Sequence, residues 1–276
     1  MTTLSVYDSA QTRTPLISEF RNLWTYRGLI RLLVARELTS RYKRSILGVW
    51  WTLLNPILTT GVLWLVFSVV IRDFARTDEP YVVYLLSGVL LITFFSQGML
   101  ATGAAITNSS AILSKVYVPA EVFAFATAIA GLANFLISLV PLLVAQLVTG
   151  TGVPWTVLLA PIPILATLAL VTGLGMLIAA LAVFFFDVLD LTRVLVQLLY
   201  YLTPVFWTLQ FIPAGFRSLV QANPLYSVLE VFRDLTYRGV ISPGWQWAVM
   251  VGSALAALGL GVWAFSRSWK TLVAKL

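Results

Sequence analysis

From Arg41 to Pro56 the chain reads RYKRSILGVWWTLLNP. Arg41, Lys43 and Arg44 place three cations directly before Trp50 and Trp51, and the run beyond them is apolar. The cations offer charge-assisted hydrogen bonds to anionic oxygens. The indole rings suit a boundary where one side of the ring is wet and the other is not. The same cations would equally bind anionic lipid and set the orientation of the helix that follows. Pro56, following Asn55 near the start of that helix, predicts a kink, with Asn55 able to take up freed backbone groups.

The remaining inventory excludes more chemistry than it offers. The chain has no Cys and no His, which excludes disulfides, thiolate and imidazole metal sites, and His general-base catalysis. It has no Gly-Lys pair, so a phosphate-wrapping P-loop cannot form. Of its 276 residues 59% are hydrophobic and 11% charged, and the mean hydropathy is +0.92. That composition belongs to a membrane protein. The net charge of +7 is then a question of which side of a membrane the cations occupy, not a signal for nucleic acid.

Uncharged runs cover 45–71, 81–114, 122–186, 194–216 and 239–266. A spanning helix needs about 20 residues, so the 122–186 run holds two helices, broken by Gly and Pro in the 148–154 stretch VTGTGVP. The prediction is an all-α polytopic protein with six transmembrane helices, near 49–71, 81–106, 119–147, 155–185, 190–209 and 245–265. The N-terminal segment, the 107–118 and 186–193 loops and the C-terminus hold 13 of the 18 Lys and Arg. Both termini are therefore expected in the cytoplasm. No secretory signal peptide is visible in the first forty residues. Glu121, Asp187 and Asp190 fall at cytoplasmic helix ends, while Asp73, Asp78, Glu79, Glu230 and Asp234 fall outside. The predicted spans thus carry no acid near their midpoints to couple transport to an ion gradient.

Three non-spanning segments stand out. Residues 16–44 interleave Leu16, Phe20, Leu23, Trp24, Ile30, Leu33 and Val34 with Arg21, Arg27, Arg31 and Arg36, the pattern of a basic amphipathic helix on the inner leaflet or of a plain topological anchor. Residues 107–121 are too long for a tight turn and apolar enough for a short docking helix. Residues 210–243 are external on this topology, yet apolar and broken by Pro213, Pro224 and Pro243, as expected of re-entrant or interfacial helices. Within the spans, aromatic rings recur at Trp50, Trp51, Trp64 and Phe67, at Phe94 and Phe95, and at Tyr200, Tyr201, Phe206 and Trp207. Such rings offer stacking faces to a polyhydroxylated substrate or simply pack helices. Gly173, Gly175, Ala179, Ala180 and Ala182 predict close helix approach.

The segment 36–56, RELTSRYKRSILGVWWTLLNP, closely resembles the signature of ABC-2-type permeases that export polysaccharides, the O-antigen, capsule and teichoic acid class often called Wzm-type. The loop ending KVYVPAE at 115–121, FFDVLD at 185–190, TPVF at 203–206 and NPL at 223–225 extend the resemblance along the chain. It implies one ABC-2 transmembrane domain over 1–276, paired with a second copy and with two copies of a separate ATPase that binds ATP and Mg. No cofactor is expected in this chain, which would carry out no covalent chemistry and sit in the cytoplasmic membrane.

The resemblance also distributes roles. It makes 16–44 an interface helix and 107–118 a coupling helix that docks in the ATPase, with Asn108, Leu113, Lys115, Val116, Tyr117, Pro119 and Glu121 as contacts. It makes 211–240 external gate helices, with Phe211, Pro213, Phe216, Asn223 and Pro224 as candidates. The implied substrate is a glycan on polyprenyl pyrophosphate. Arg41, Tyr42, Lys43 and Arg44 would meet its headgroup, and Trp50, Trp51, Trp64, Phe67, Tyr200, Tyr201 and Phe206 would line the glycan path. Rival readings are an ABC-2 exporter of a drug or lipid, a membrane enzyme acting on the same glycan lipid, and a membrane scaffold.

Overall fold

A computed structural model describes residues 23–43, 45–70, 79–113, 118–185 and 187–275. The expectations placed on residues 16–22, Arg44, Lys115, Val116 and Tyr117 lie outside the described residues. Every regular element among the described residues is helical.

α1 (Arg27–Tyr42) lays Ile30, Leu33 and Val34 on Val122, Ala126 and Phe125 of α6 (Glu121–Thr149), while Arg27, Arg31, Arg36 and Arg41 stay exposed. This is the amphipathic helix read from the sequence, with its apolar face covered by the bundle. The chain then reverses over Ser45–Gly48. Gly48 adopts φ +49°, a left-handed conformation that a side chain would strain, and its N–H donates to the Ser45 hydroxyl at 3.1 Å. α2 (Trp50–Leu65) runs on through a π-helical turn to Val70. Pro56 sits inside α2 and is buried, but Asn55 accepts from the Thr59 hydroxyl at 3.4 Å rather than from freed backbone.

α3 (Tyr81–Gly103) is the buried axis of the bundle. Two single-turn helices, α4 (Ala105–Asn108) and α5 (Ser110–Leu113), follow it. α6 ends at Gly150, which takes φ +73°, and Gly152 and Pro154 complete the predicted break before α7 (Pro161–Ala182). α8 (Asp187–Leu202) comes next, then α9 (Ala214–Gln221), α10 (Pro224–Arg233) and α11 (Gly244–Lys275). We call the end of the bundle bearing α1 proximal and the end bearing Tyr81 distal.

Among the described residues five helical stretches are long and apolar enough to cross a membrane: Trp50–Ser68, Tyr81–Gly103, Glu121–Thr149, Trp155–Ala182 and Gly244–Arg267. The sixth predicted span differs. The uncharged run continues to residue 216, but α8 stops at Leu202 after 16 residues, about 24 Å at 1.5 Å per residue. Pro204 has no N–H to donate and disfavours helix at Thr203 before it, which ends α8 short of a full crossing.

The small residues of α7 do what their pattern predicts. A Cβ on Gly173 would stand 2.3 Å from the Ala257 backbone of α11, and one on Gly175 would stand 2.5 Å from Thr102 of α3. α7 is thus wedged between α11 and α3 at near backbone contact. Gly173→Leu is expected to cost about 3 kcal/mol by overpacking. Gly259→Ala, where nothing lies within 4 Å, should be neutral or slightly stabilising. Thermal unfolding of the two variants in detergent checks this.

Candidate functional site

A cavity of about 540 Å³ opens beside α2 and reaches from α1 toward the distal end. Its proximal wall holds Glu37, Arg41, Tyr42, Gly48 and Trp51. Deeper in, its polar lining is neutral. α2 contributes Thr52, Asn55 and Thr59, α3 contributes Thr93 and Gln97, and α6 contributes Thr127, Asn134 and Ser138. The Tyr42 hydroxyl donates to Asn134 Oδ1 at 2.5 Å and lies 2.6 Å from the Thr52 hydroxyl, which donates to it in turn. This bond ties α1 to α2 and α6 at the mouth. Volume and lining suit a ligand with many hydroxyls, held by hydrogen bonds and by the faces of Trp51, Phe94 and Phe135.

The cavity also touches Tyr200 of α8, and there an aromatic cluster begins. The Tyr200 ring lies 6.3 Å from that of Phe206, which stacks on Phe67 at 5.2 Å and meets Tyr201 edge-on at 6.3 Å. Of the seven rings assigned to a path from the sequence, Trp51 and Tyr200 line the cavity, and Phe67, Tyr201 and Phe206 form the cluster above it. Trp50 and Trp64 are exposed and do not line it. Lys43 is exposed at the end of α1 and is likewise outside the lining.

The apolar stretch 210–243 is an ordered structure rather than a trailing loop. Phe211 closes a 3₁₀ turn, Pro213 starts α9, and Phe216 is exposed on it. Asn223 is a joint: its side-chain oxygen caps α10 by accepting from Leu225 N, and its amide donates to the Thr203 hydroxyl at 3.0 Å. Pro224 occupies the first turn of α10, where a missing N–H is harmless. α10 then dips back into the bundle, with Val228, Leu229, Val231 and Phe232 almost wholly buried.

Sequence reading placed Glu230 and Asp234 in an external segment. The fold brings α10 inward, so these acids enter a partly buried ion network. Arg233, wholly buried, donates to Glu230 at 3.0 Å, and Arg238 bridges Glu230 at 2.6 Å, Asp234 at 2.8 Å and Glu79 at 2.6 Å. Burial alone would push the Glu230 carboxyl up, but Arg233 and Arg238 outweigh it and hold the carboxyl below the usual range.

At the proximal end, Asn108 is exposed, and Leu113 packs beside Ile106 and Phe265. Pro119 precedes α6, and Glu121 is buried in its first turn, where a negative charge complements the helix dipole.

The Tyr42–Asn134 bond and the neutral lining were missed from the sequence. A signal existed: Thr52, Asn55 and Thr59 recur at helical spacing on α2, Thr93 and Gln97 on α3, and Thr127, Asn134 and Ser138 on α6. Three polar stripes in apolar spans mark a shared hydrated space.

A bundle of apolar helices with a short broken helix, an inward-turning distal segment and a surface helix at the other end is the architecture of a multi-pass membrane protein. Residues 28–237 match the profile of the ABC-2 type transporter family, and the chain belongs to that family. Transporters of this kind work with a separate ATPase. The chain is 34% identical over 224 residues to the O-antigen export system permease protein RfbA of Myxococcus xanthus, an alignment covering 80% of this chain and 85% of that one. It is 25% identical over 217 residues to the O-antigen export system permease protein RfbA of Klebsiella pneumoniae, covering 78% and 82%. It is 23% identical over 245 residues to the polysialic acid transport protein KpsM of Escherichia coli, covering 84% and 90%.

The Tyr42–Asn134 bond is expected to be worth about 1 kcal/mol. A double-mutant cycle with Tyr42→Phe and Asn134→Leu, read by denaturant unfolding in detergent, measures it; a coupling near zero would remove this tie.

Proposed function

We propose that the chain is the membrane-spanning subunit of an ATP-driven exporter of a lipid-linked polysaccharide. The observation that carries this reading is the cavity. Its mouth offers Arg41 and Tyr42, its interior offers amides, hydroxyls and aromatic faces, and its lining beyond Glu37 and Arg41 holds no ionised group. A glycan's hydroxyls and ring faces hydrogen-bond and stack in such a space, whereas an ion-coupled carrier usually places buried acids at its site. The names of the relatives, O-antigen export permease and polysialic acid transport protein, support the same class of cargo over a drug or a lipid.

In this reading two copies of the chain assemble with two copies of the ATPase, which binds ATP and Mg. The unit sits in the cytoplasmic membrane with both termini in the cytoplasm. The 107–118 segment meets the ATPase, with Asn108, Leu113, Lys115, Val116, Tyr117, Pro119 and Glu121 as the contacts. The substrate is a glycan on polyprenyl pyrophosphate, whose pyrophosphate meets Arg41, Lys43 and Arg44 by charge-assisted hydrogen bonds. α9 and α10 cover the distal side.

Depletion of the protein in its host is expected to leave full-length lipid-linked polymer on the cytoplasmic side of the membrane, measured by extracting polyprenyl-linked glycan and testing its sidedness. Absent or shortened polymer would assign the chain to synthesis instead. Charge reversal of Arg41 and Arg44 in correctly inserted protein is expected to stop export; continued export would remove the pyrophosphate role.

A further inference from the structure

Helix α8 breaks at Thr203–Pro204, and the following turn through Trp207 leaves carbonyls without helical partners. Arg233 collects them. Its guanidinium donates to Pro204 O at 2.8 Å, to Val205 O at 3.2 Å and to Tyr84 O at 3.1 Å, and lies 3.6 Å above the centre of the Tyr84 ring. The Tyr84 hydroxyl reaches Pro204 O at 3.0 Å and Trp207 O at 2.7 Å, and the Tyr81 hydroxyl donates to Phe206 O at 2.6 Å. The residue held at the centre of this grip is Phe206. Its ring clusters with Phe67, Tyr200 and Tyr201 beside the cavity, which Tyr200 lines. Gly88 is part of the arrangement. A Cβ there would stand 2.8 Å from the Arg233 guanidinium and 3.1 Å from Val205 O.

We infer that Arg233 is a positioning residue that keeps the transport path shut at its distal end, by holding the 203–207 turn so that Phe206 completes an aromatic seal over the cavity. The inference rests on the export reading for the nature of the cargo, but not for the seal itself. A planar fork serves here where an ammonium would not, because three carbonyls, a carboxylate and the Ser87 hydroxyl accept from its separate N–H groups. Glu230 balances the charge, and through Arg238 the same network reaches Glu79 beside the first turn of α3. A movement of α10 would therefore withdraw Arg233 from the turn and release Phe206 in one step.

The test is a leak measurement that uses neither ATP nor glycan. The permease with its ATPase is reconstituted into vesicles of phosphatidylethanolamine and phosphatidylglycerol loaded with a labelled disaccharide. Loss of charge-assisted hydrogen bonds to the turn is expected to raise the open population, and so the leak, roughly tenfold in Arg233→Gln. Phe206→Ala should leak to the same extent, and the double variant should leak no more than either single one. Arg233→Lys is expected to leak almost as much as Arg233→Gln. A lysine variant sealed like wild type would reduce Arg233 to a counter-charge for Glu230 and overturn the positioning role.

A folded Arg233→Gln protein that stays sealed overturns the inference outright. Should that variant fail to fold, Tyr84→Phe decides. It keeps the ring beneath the guanidinium and removes only the hydroxyl at Pro204 O and Trp207 O. Leak supports the seal; a sealed vesicle refutes it. Leaky variants together with no build-up of lipid-linked polymer on depletion would sink the export reading while leaving the seal in place.

Discussion

A membrane offers no water to a broken helix, so every backbone polar group at bilayer depth must find its partner inside the protein. A broken helix raises the same demand wherever water is excluded, and among the described residues the structure meets it at a costly place. α8 stops at Leu202, and the Thr203–Trp207 turn is closed by side chains from α3 and α10. Burying a guanidinium to do so is expensive unless its charge is matched and its donors are used. Here Glu230, three carbonyls and the Ser87 hydroxyl accept from it. The inward course of α10 brings that arginine to the turn, and the glycine at position 88 leaves room for its guanidinium.

The remaining architecture divides into a tightly packed part and a loosely attached one. α3, α7 and α11 meet at glycines, with backbones near contact at Gly173, Gly175 and Gly261, so packing rather than burial from water holds them. α2 turns only Pro56 and Thr60 fully inward and exposes Trp50, Ile57, Leu58, Val62, Trp64 and Leu65 along its length. The cavity lies where the two parts meet. A polar space of this kind needs one wall that does not pack fully, and the Tyr42–Thr52–Asn134 bond pins that wall at its proximal edge.

Much of this was legible in the amino-acid order. The amphipathic α1, the break at Gly150–Pro154, the close approach at Gly173 and Gly175 and the inward helices of 210–243 were all readable from spacing and composition. Where reading failed, it failed for a physical reason. The end of α8 at Leu202, short of the residue 209 read from the apolar run, is set by Pro204, because hydropathy measures solvent preference and is blind to a missing N–H. Trp50 and Trp64 share a helix with Trp51 but not its direction, and only the packing of α2 on α3 and α6 determines which face looks inward.

The sequence by itself determined the solvent and the class: helices that belong in a bilayer, cations gathered toward one predicted side, no Cys or His, and no P-loop. These are sums over local properties, and no contact need be known to form them. Tertiary structure alone decided that Arg233 is wholly buried against Glu230, that three polar stripes share one cavity, and that Phe206 packs near Tyr200 at its edge. Arg233 and the Tyr84 carbonyl it binds are 149 residues apart. Nothing local in either segment encodes that pairing, which exists only because α3 and α10 are brought side by side by the packing of the whole bundle.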